Sequence, residues 1–380
     1  MVSTEGTMSS SVFTIDIPMD NHTDHFHSVY SYEERIFFAT TLIVISITGI
    51  IGNSATIAAV VLSKKLRDET NVFVVCLAVS DLITCLAISL SIFTLLNKAG
   101  WPWPEHEWLC SASATLAYGG TGSSEICLAA IAINRLILIK WPLTIYHKVF
   151  RKGPMIAMVI FILLGPSIIL VAFPLFGIGG LGYDEKHNVC ADVDYHPHAR
   201  TYELIQHAIL YPISFVTIVI CYLLIFCHIR RRFGRQRQTE LTRLDSLDCL
   251  AGCEASVTLN VVKHSSNNSG IPPPTPTSPR LEHIDKIQYE ITKISSRHSV
   301  YSFCVTPYAL ILLTPRTFHQ GRALLYCALP VVFAACVNPI IYALRHPQFR
   351  AVFGPMARCR YRDIPEPSGS LRRLVYDDQV

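Results

Sequence analysis

Residues 323–344 read ALLYCALPVVFAACVNPIIYAL and contain no charged side chain. About 20 apolar residues suffice for a helix to cross the hydrocarbon core of a bilayer, so this segment predicts a membrane-spanning helix. Asn338 lies deep inside the segment, where a strongly polar side chain is costly and needs a polar partner. The segment therefore indicates a bundle of spanning helices rather than a single anchor.

Six further apolar runs precede this one. The sixth run is the weak one, because it holds only about 14 residues, fewer than a bilayer requires. The predicted spans are Ile36–Leu62, Val72–Leu95, Leu109–Ile139, Met155–Phe176, Leu204–Ile229, Val300–Leu313 and Ala323–Leu344.

The composition agrees with a chain that largely avoids water. Of its 380 residues, 51% are hydrophobic and only 16% are charged, whereas soluble domains carry closer to a quarter of charged residues. The net charge of +4 is small, and the basic residues form no single patch, so we expect the lipid bilayer rather than nucleic acid as a partner. One bundle accounts for the length, and no second domain is predicted.

Basic residues in the short connections predict the orientation. Clusters such as Lys64-Lys65 and Arg230-Arg231-Arg232 follow the odd-numbered spans, whereas Asp and Glu occupy the opposite ends. Since Lys and Arg stay on the cytoplasmic side, residues 1–35 should form an extracellular tail, residues 36–344 the bundle, and residues 345–380 a cytoplasmic segment. This predicts a multi-pass plasma-membrane protein with Asn21 as an N-glycosylation acceptor.

The longest connection, about residues 230–286, lies on the predicted inner side. It contains the proline-rich stretch Ile271–Pro279. A segment of this composition cannot bury enough apolar surface to fold, so we predict disorder there.

Five polar residues fall inside predicted spans. Because each needs a partner within the membrane, their joint occurrence favours one water-filled polar core. They are Asn53, Asp81, Ser124, Glu125 and Asn338.

The motifs around these residues resemble those of rhodopsin-like (class A) G-protein-coupled receptors. They occur in the family's order and cover about 310 residues. They are Gly52-Asn53, Leu77-Ala78 with Asp81, Asn134-Arg135-Leu136, and Asn338-Pro339 with Tyr342 and the later Phe349. The resemblance implies an all-α membrane protein, a seven-transmembrane helix bundle with a short amphipathic eighth helix. It further implies a receptor that binds an unidentified extracellular ligand and activates heterotrimeric G proteins through helix rearrangement.

By this resemblance Arg135 is the switch arginine of the inner face, acting with Leu136 and the Asn338-Pro339-x-x-Tyr342 motif. The family usually has Asp before the arginine, and Asn134 replaces it here. This variant resembles melatonin-receptor-like and related orphan receptors. Because Asn134 cannot form an ion pair with Arg135, we expect a weaker restraint on the inactive state.

The resemblance also implies a disulfide and an ion site. Cys110 lies at the family's spacing before Arg135, and Cys190 in the second outer loop is its expected partner; two free buried thiols are the alternative. Asp81, Ser124, Asn338 and Asn53 match the family's sodium pocket, with Asp81 and Ser124 as metal ligands. A hydrated core without an ion is the alternative, and Glu125 faces either this pocket or a neighbouring helix. No other cofactor is expected.

The sixth span departs from the family pattern. Val305 stands where the family has tryptophan and Tyr301 where it has phenylalanine, and the span reads about three residues short. An error in the gene model is one interpretation; a specialised or impaired receptor, or a non-signalling seven-helix scaffold, is the other.

The ligand is not identified by the sequence. Ala117 stands where aminergic receptors carry their amine-binding Asp, and Val332 where opsins carry the retinal lysine. Candidate pocket residues, for which helix packing is the alternative, are Ala117, Tyr118, Tyr202, His207, Val305 and Tyr308.

Residues Arg345–Arg358 predict an amphipathic helix along the inner surface, with Phe349, Val352 and Phe353 towards lipid. Cys359 at its end is a candidate for palmitoylation, with an unmodified thiol as the alternative. Arrestin and a receptor kinase are partners implied by the family.

Competing functions find little support. No H-E-x-x-H, G-x-S-x-G or P-loop motif occurs, so we do not expect an enzyme. The paired broken helices and inverted repeats of transporters are also absent from the sequence.

Overall fold

The computed structural model describes residues 28–193, 196–258, 301–314 and 318–376, and nearly all of them are helical. The helices in these ranges are α1 (Tyr32–Leu62), α2 (Glu69–Leu96), α3 (Glu107–Lys140), α4 (Leu143–Val149), α5 (Lys152–Leu175), α6 (Ala199–Thr258), α7 (Tyr301–Leu312), α8 (Phe318–Arg345), α9 (Pro347–Ala357) and α10 (Gly369–Tyr376). The two strands are β1 (Leu181–Asp184) and β2 (Val189–Asp192).

Six of these helices are long and apolar enough to cross a membrane, namely α1, α2, α3, α5, α6 and α8. The shorter apolar helix α7 lies at the position of the sixth predicted span. These seven helices correspond in order to the seven spans expected from hydropathy.

The helices begin before the apolar runs because polar residues cap their ends. At α1, Ser31 and Glu34 form a reciprocal capping box, which satisfies two backbone N–H groups that a helix start leaves without partners. At α2, the Asp68 side chain accepts a hydrogen bond of 2.7 Å from the Asn71 backbone N–H.

Helix α3 lies at the centre and packs against α2, α5 and α6. Two glycines allow its close approach to the neighbouring helices. A Cβ atom on Gly119 would lie 3.1 Å from the Ser167 Cα of α5, and one on Gly120 would lie 3.1 Å from the Ser80 carbonyl oxygen of α2. These glycines therefore allow α3 to pack closely against α2 and α5.

The second outer loop forms an antiparallel hairpin, which the all-α prediction did not include. Strand β1 pairs with β2 from Leu181 opposite Asp192 to Asp184 opposite Val189. A disulfide joins Cys190 of β2 to Cys110 of α3. The hairpin is thereby held over the outer ends of α2 and α3.

The prediction of disorder from residue 230 is wrong for residues 230–258, because α6 continues through them as a helix. This part is rich in Arg, Gln, Glu and Leu, which have high helix propensity, and it contains no proline. The proline-rich stretch 271–279 lies outside the described residues.

Helix α9 confirms an eighth helix but corrects the direction of its apolar face. Phe349 and Val352 are buried rather than turned to lipid. The Phe349 ring stacks on Tyr342 of α8, with ring centroids 5.1 Å apart. The face packs inward because Tyr342, Ala59 and Leu66 offer it an apolar surface at the inner end of the bundle.

The chain after α9 returns to the first inner loop. The Ser63 hydroxyl donates to the Pro365 carbonyl at 2.7 Å, and Ser63 and Pro367 form an isolated β-bridge. Leu371 of α10 is buried in the same apolar cluster as Phe349. We call residues 361–376 the inner strap.

Candidate functional site

The predicted polar core forms around Asp81, which is only 2% exposed. The Ser124 hydroxyl of α3 donates to Asp81 Oδ1 at 2.6 Å, and the Asn338 Nδ2 of α8 donates to Asp81 Oδ2 at 2.8 Å. Three helices thus meet at one carboxyl group. Each partner satisfies an oxygen that would otherwise be costly to bury.

Asn53 lies outside this triad. Its Nδ2 donates to the carbonyl oxygens of Ala335 and Gly49, both at 2.9 Å, and so ties α1 to α8. The preceding Gly52 permits this contact, since a Cβ there would lie 2.8 Å from Pro339 Cβ. The glycine–asparagine motif is therefore explained by the packing of α1 against α8.

The donor set of the core fits a hard cation such as sodium. The Asp81 carboxylate, the Ser124 hydroxyl and the Asn338 side-chain carbonyl are oxygen ligands of the kind that such an ion prefers. The buried Asn53 Oδ1 has no hydrogen-bond partner among the described residues. The buried oxygens could therefore coordinate a sodium ion or water molecules.

Glu125 faces a neighbouring helix rather than the Asp81 core. Tyr301 of α7 donates its hydroxyl to Glu125 Oε1 at 2.9 Å. Helix α7 is also bonded to α6, where the Tyr211 and Thr306 hydroxyls lie 2.7 Å apart. Tyr301, which stands where the family has phenylalanine, therefore has a polar partner for its hydroxyl in Glu125.

Asn134 is fully buried and bridges three helices at the inner end of α3. The Thr70 hydroxyl of α2 donates to Asn134 Oδ1 at 3.1 Å. The Asn134 Nδ2 donates to the Tyr146 hydroxyl of α4 at 3.2 Å. The neighbouring Leu136 packs in the same inner apolar cluster as Tyr146.

A carboxylate from another helix supplies negative charge near Arg135. Partial burial raises the pKa of the Asp68 carboxyl, while the hydrogen bond from Asn71 and the positive charge of Arg135 oppose this shift. Asp68 is therefore close enough to Arg135 for the two charges to interact.

The outer candidate residues divide into two groups. Tyr118 donates its hydroxyl to Asp192 Oδ1 at 2.9 Å, beneath the second outer loop; Tyr308 and Val305 are buried on α7. Tyr202 instead packs between helices and its hydroxyl donates to the Leu170 carbonyl at 2.9 Å.

The remaining candidates do not join these groups. Ala117 packs in the cluster shared by α1 and α2. The His207 side chain and Asn21 lie outside the described residues.

Sequence reasoning missed Asp192 as a site residue. Burial raises the pKa of its carboxyl to about 6, and the negative charge of Glu203 adds to this effect. The sequence feature that could have identified Asp192 is its position two residues after Cys190. A disulfide from Cys190 to α3 places this end of the strand over the bundle. Glu203, near the start of α6, had no signal in the sequence.

Cys359 is a free, exposed thiol just after α9. It adopts a positive φ of 54°. The arrangement leaves this thiol accessible.

With this geometry in place, comparison with known proteins defines the class. The sequence profile described as 7 transmembrane receptor (rhodopsin family) matches residues 52–342. The chain therefore belongs to the rhodopsin family of seven-transmembrane receptors.

Individual relatives are distant. The G-protein coupled receptor moody of Drosophila pseudoobscura pseudoobscura is 23% identical over 94% of this chain and 58% of its own length. Melanopsin of Rutilus rutilus is 27% identical over 89% of this chain and 59% of its own length. The chain thus spans less than two thirds of these relatives.

The crystal structure of squid rhodopsin matches 92% of this chain and 93% of its own chain, with a TM-score of 0.65 at 17% identity. This likeness confirms the predicted seven-helix bundle.

Proposed function

We propose that the chain is a cell-surface receptor that couples an unidentified extracellular ligand to heterotrimeric G proteins. The observation that carries the proposal is the family's switch motif at Asn134-Arg135, bonded into the inner ends of α2 and α4 within a family match over residues 52–342. The names of two relatives support the same proposal, since one is called a G-protein coupled receptor and one from Mizuhopecten yessoensis is called a GQ-coupled rhodopsin. Family membership and the absence of catalytic motifs argue against an enzyme.

The test is ligand-independent G-protein activation in cells, measured with a panel of G-protein biosensors at matched surface expression. We expect Arg135→Ala to abolish the signal. Lys98→Ala, which removes an exposed cation at the outer end of α2, should leave it unchanged. A receptor that reaches the surface but activates no G protein, alone or with a ligand library, would favour the scaffold.

The scaffold is the second candidate because of α7. Val305 replaces the family's tryptophan, and Tyr301 is bonded to Glu125. A polar contact of this kind could hold α7 against α3 permanently.

Sodium binding at Asp81, Ser124 and Asn338 is a further part of the proposal. A sodium ion enclosed by the closed bundle would stabilise the inactive state, so agonist affinity or basal signalling should fall as sodium replaces potassium at constant ionic strength. Asp81→Asn should remove this response. Glu125→Gln is the matched control, since Glu125 bonds to Tyr301. A response that persists in Asp81→Asn would place the ion elsewhere.

The remaining assignments follow the receptor proposal. The N-terminal tail is extracellular and glycosylated at Asn21, and the protein resides in the plasma membrane. Cys359 is palmitoylated, which metabolic labelling of Cys359→Ser would test. Arrestin and a receptor kinase are cytoplasmic partners. The likeness to melatonin-receptor-like members rests on Asn134 alone and stays a prediction, and Val332 argues against retinal as the ligand.

A further inference from the structure

A groove of about 600 Å³ opens on the side of the bundle, near the inner end that carries Arg135. Its apolar walls come from α2 and α5. Val72, Val75 and Val79 lie on one face of α2 by helical spacing, and Met155, Val159 and Leu163 lie on one face of α5. These side chains are half-buried, so the groove is an indentation that packing within the bundle leaves unfilled.

The groove has the length and direction of an acyl chain. From Met155 to Leu163 the helix rises by about 12 Å, at 1.5 Å per residue. One leaflet contributes about 15 Å of hydrocarbon. The apolar walls therefore run through most of one leaflet, parallel to its chains.

The mouth of the groove is charged. It is lined by the basic side chains Arg67, Arg151 and Lys152, together with His147. In the described part of the chain, no salt bridge or side-chain hydrogen bond engages Arg151 or Lys152. Arg67 is held by bonds from its guanidinium to the carbonyl oxygens of Val60 and Val61.

Two acids, Asp68 and Glu69, also line the mouth, but they lie on the α2 side. Asp68 is engaged as the cap of α2, where it accepts from Asn71 N. The α5 side presents only cations, and the Arg151 side chain does not cap the helix. The positive end of the α5 dipole adds to the positive charge on this side.

We propose that this groove binds an anionic glycerophospholipid of the inner leaflet, with its negatively charged head group at Arg151 and Lys152 and one acyl chain between α2 and α5. Basic pockets between spanning helices on the cytoplasmic side are suited to anionic head groups. The apolar walls distinguish this site from the diffuse attraction between any basic surface and an acidic leaflet. The site does not depend on the ligand or on G-protein coupling.

The test uses the purified full chain offered equal amounts of phosphatidylserine and phosphatidylcholine in mixed micelles, with retained lipids counted by native mass spectrometry. We expect retention of phosphatidylserine over phosphatidylcholine by at least about tenfold, since each basic residue near an anionic head group contributes about 1 kcal/mol. Arg151→Gln with Lys152→Gln should remove most of this preference.

Two further variants separate a site from general attraction. Lys64→Gln with Lys65→Gln removes the same charge from exposed positions outside the groove and should keep the preference. Val75→Phe with Val159→Phe fills the groove without changing charge and should lower the retention of both lipids. Equal loss in the two charge variants, retention unaffected by filling, or displacement of phosphatidylserine by a sterol at equal concentration would each overturn the proposal. The charge variants are exposed and test it even where the filled variant fails to fold.

Discussion

At the scale of single residues, the inner end of α3 shows how a neutral side chain replaces the family's acid. Asn134 accepts from Thr70 and donates to Tyr146, so it holds α2, α3 and α4 together without a charge. Negative charge near Arg135 comes from Asp68, the residue that caps α2. The restraint on Arg135 is therefore shared between helices.

We expect Asn134→Asp to lower ligand-independent signalling. The aspartate keeps an acceptor for Thr70 and can accept from the Tyr146 hydroxyl, while it adds a charge beside Arg135. A partly exposed ion pair of this kind contributes about 1 kcal/mol, or roughly fivefold in the active population. Thr70→Val and Tyr146→Phe remove bonds without adding charge and should change signalling in the opposite direction. Raised signalling in Asn134→Asp would contradict this account.

Glu125 and Tyr301 form the second residue-scale feature. Tyr301→Phe should lower the thermal stability of the detergent-solubilised receptor, because it leaves a buried carboxyl without this hydrogen bond at a cost of about 1–3 kcal/mol. Replacing both residues, as Glu125→Leu with Tyr301→Phe, should recover most of the loss. The comparison is a double-mutant cycle. Additive losses in the double variant would mean that the two side chains do not act as a pair.

The sequence could identify the residues of the polar core around Asp81, but not which neighbour the Glu125 side chain faces. Asp81, Ser124 and Asn338 stand in motifs whose order specifies their helices. Ser124 and Glu125 are neighbours on α3, about 100° apart around the helix, and only the rotation of α3 against α7 decides what each one faces. That rotation depends on packing, including the close contacts at Gly119 and Gly120.

At the scale of elements, the second outer loop is bonded to α2 and α3 at three points. The disulfide anchors β2 to α3, the Cys190 backbone N–H donates to the Ser91 hydroxyl of α2 at 3.2 Å, and Asp192 accepts from Tyr118. The cysteine pair follows from the family resemblance. The hairpin could not be predicted, because its strands are only four residues long and show no clear alternation of apolar and polar residues.

The Asp192 carboxyl should make the stability of the folded receptor depend on pH. Its ordinary pKa of 3.8 rises to about 6 in the folded chain. Between these values the folded state binds more protons than the unfolded state, so stability falls as pH rises from about 4 to 6 and then levels off. Asp192→Asn keeps an acceptor for Tyr118 and should flatten this fall, which leaves the variant more stable than the parent at neutral pH.

The measurement is the thermal midpoint in detergent across this pH range. Glu105→Gln, at an exposed position near the start of α3, is the control and should follow the parent. A difference between Asp192→Asn and the parent that stays constant with pH would contradict the assignment.

At the scale of the whole molecule, hydropathy and charge predict the helix bundle, whereas neither predicts the inner strap. The apolar runs predict seven spans and the basic connections predict their orientation. The inner strap was missed because α10 is only eight residues long and its contact surface is assembled from α1, the first inner loop and α9. The helical extension of α6 was missed because polar composition was taken to mean disorder.

We expect Leu371→Asp to release the inner strap without unfolding the bundle. Leu371 is 3% exposed, and a buried charge without a partner is costly enough to detach a short helix. Limited trypsin digestion should then cut faster at Arg372 and Arg373, while the thermal midpoint of the bundle changes little. Leu371→Met, which preserves apolar volume, is the control. Equal cutting rates in both variants would show that the strap does not depend on this contact.

The bond between Ser63 and Pro365 joins residues 302 positions apart in the chain. A contact between such distant segments brings a large loop-closure entropy, which is offset only when the intervening helices are already in place. The inner strap should therefore dock last during folding. A conformational antibody against the docked strap would recognise only fully assembled molecules, and the strap would serve as a natural reporter of completed biosynthesis.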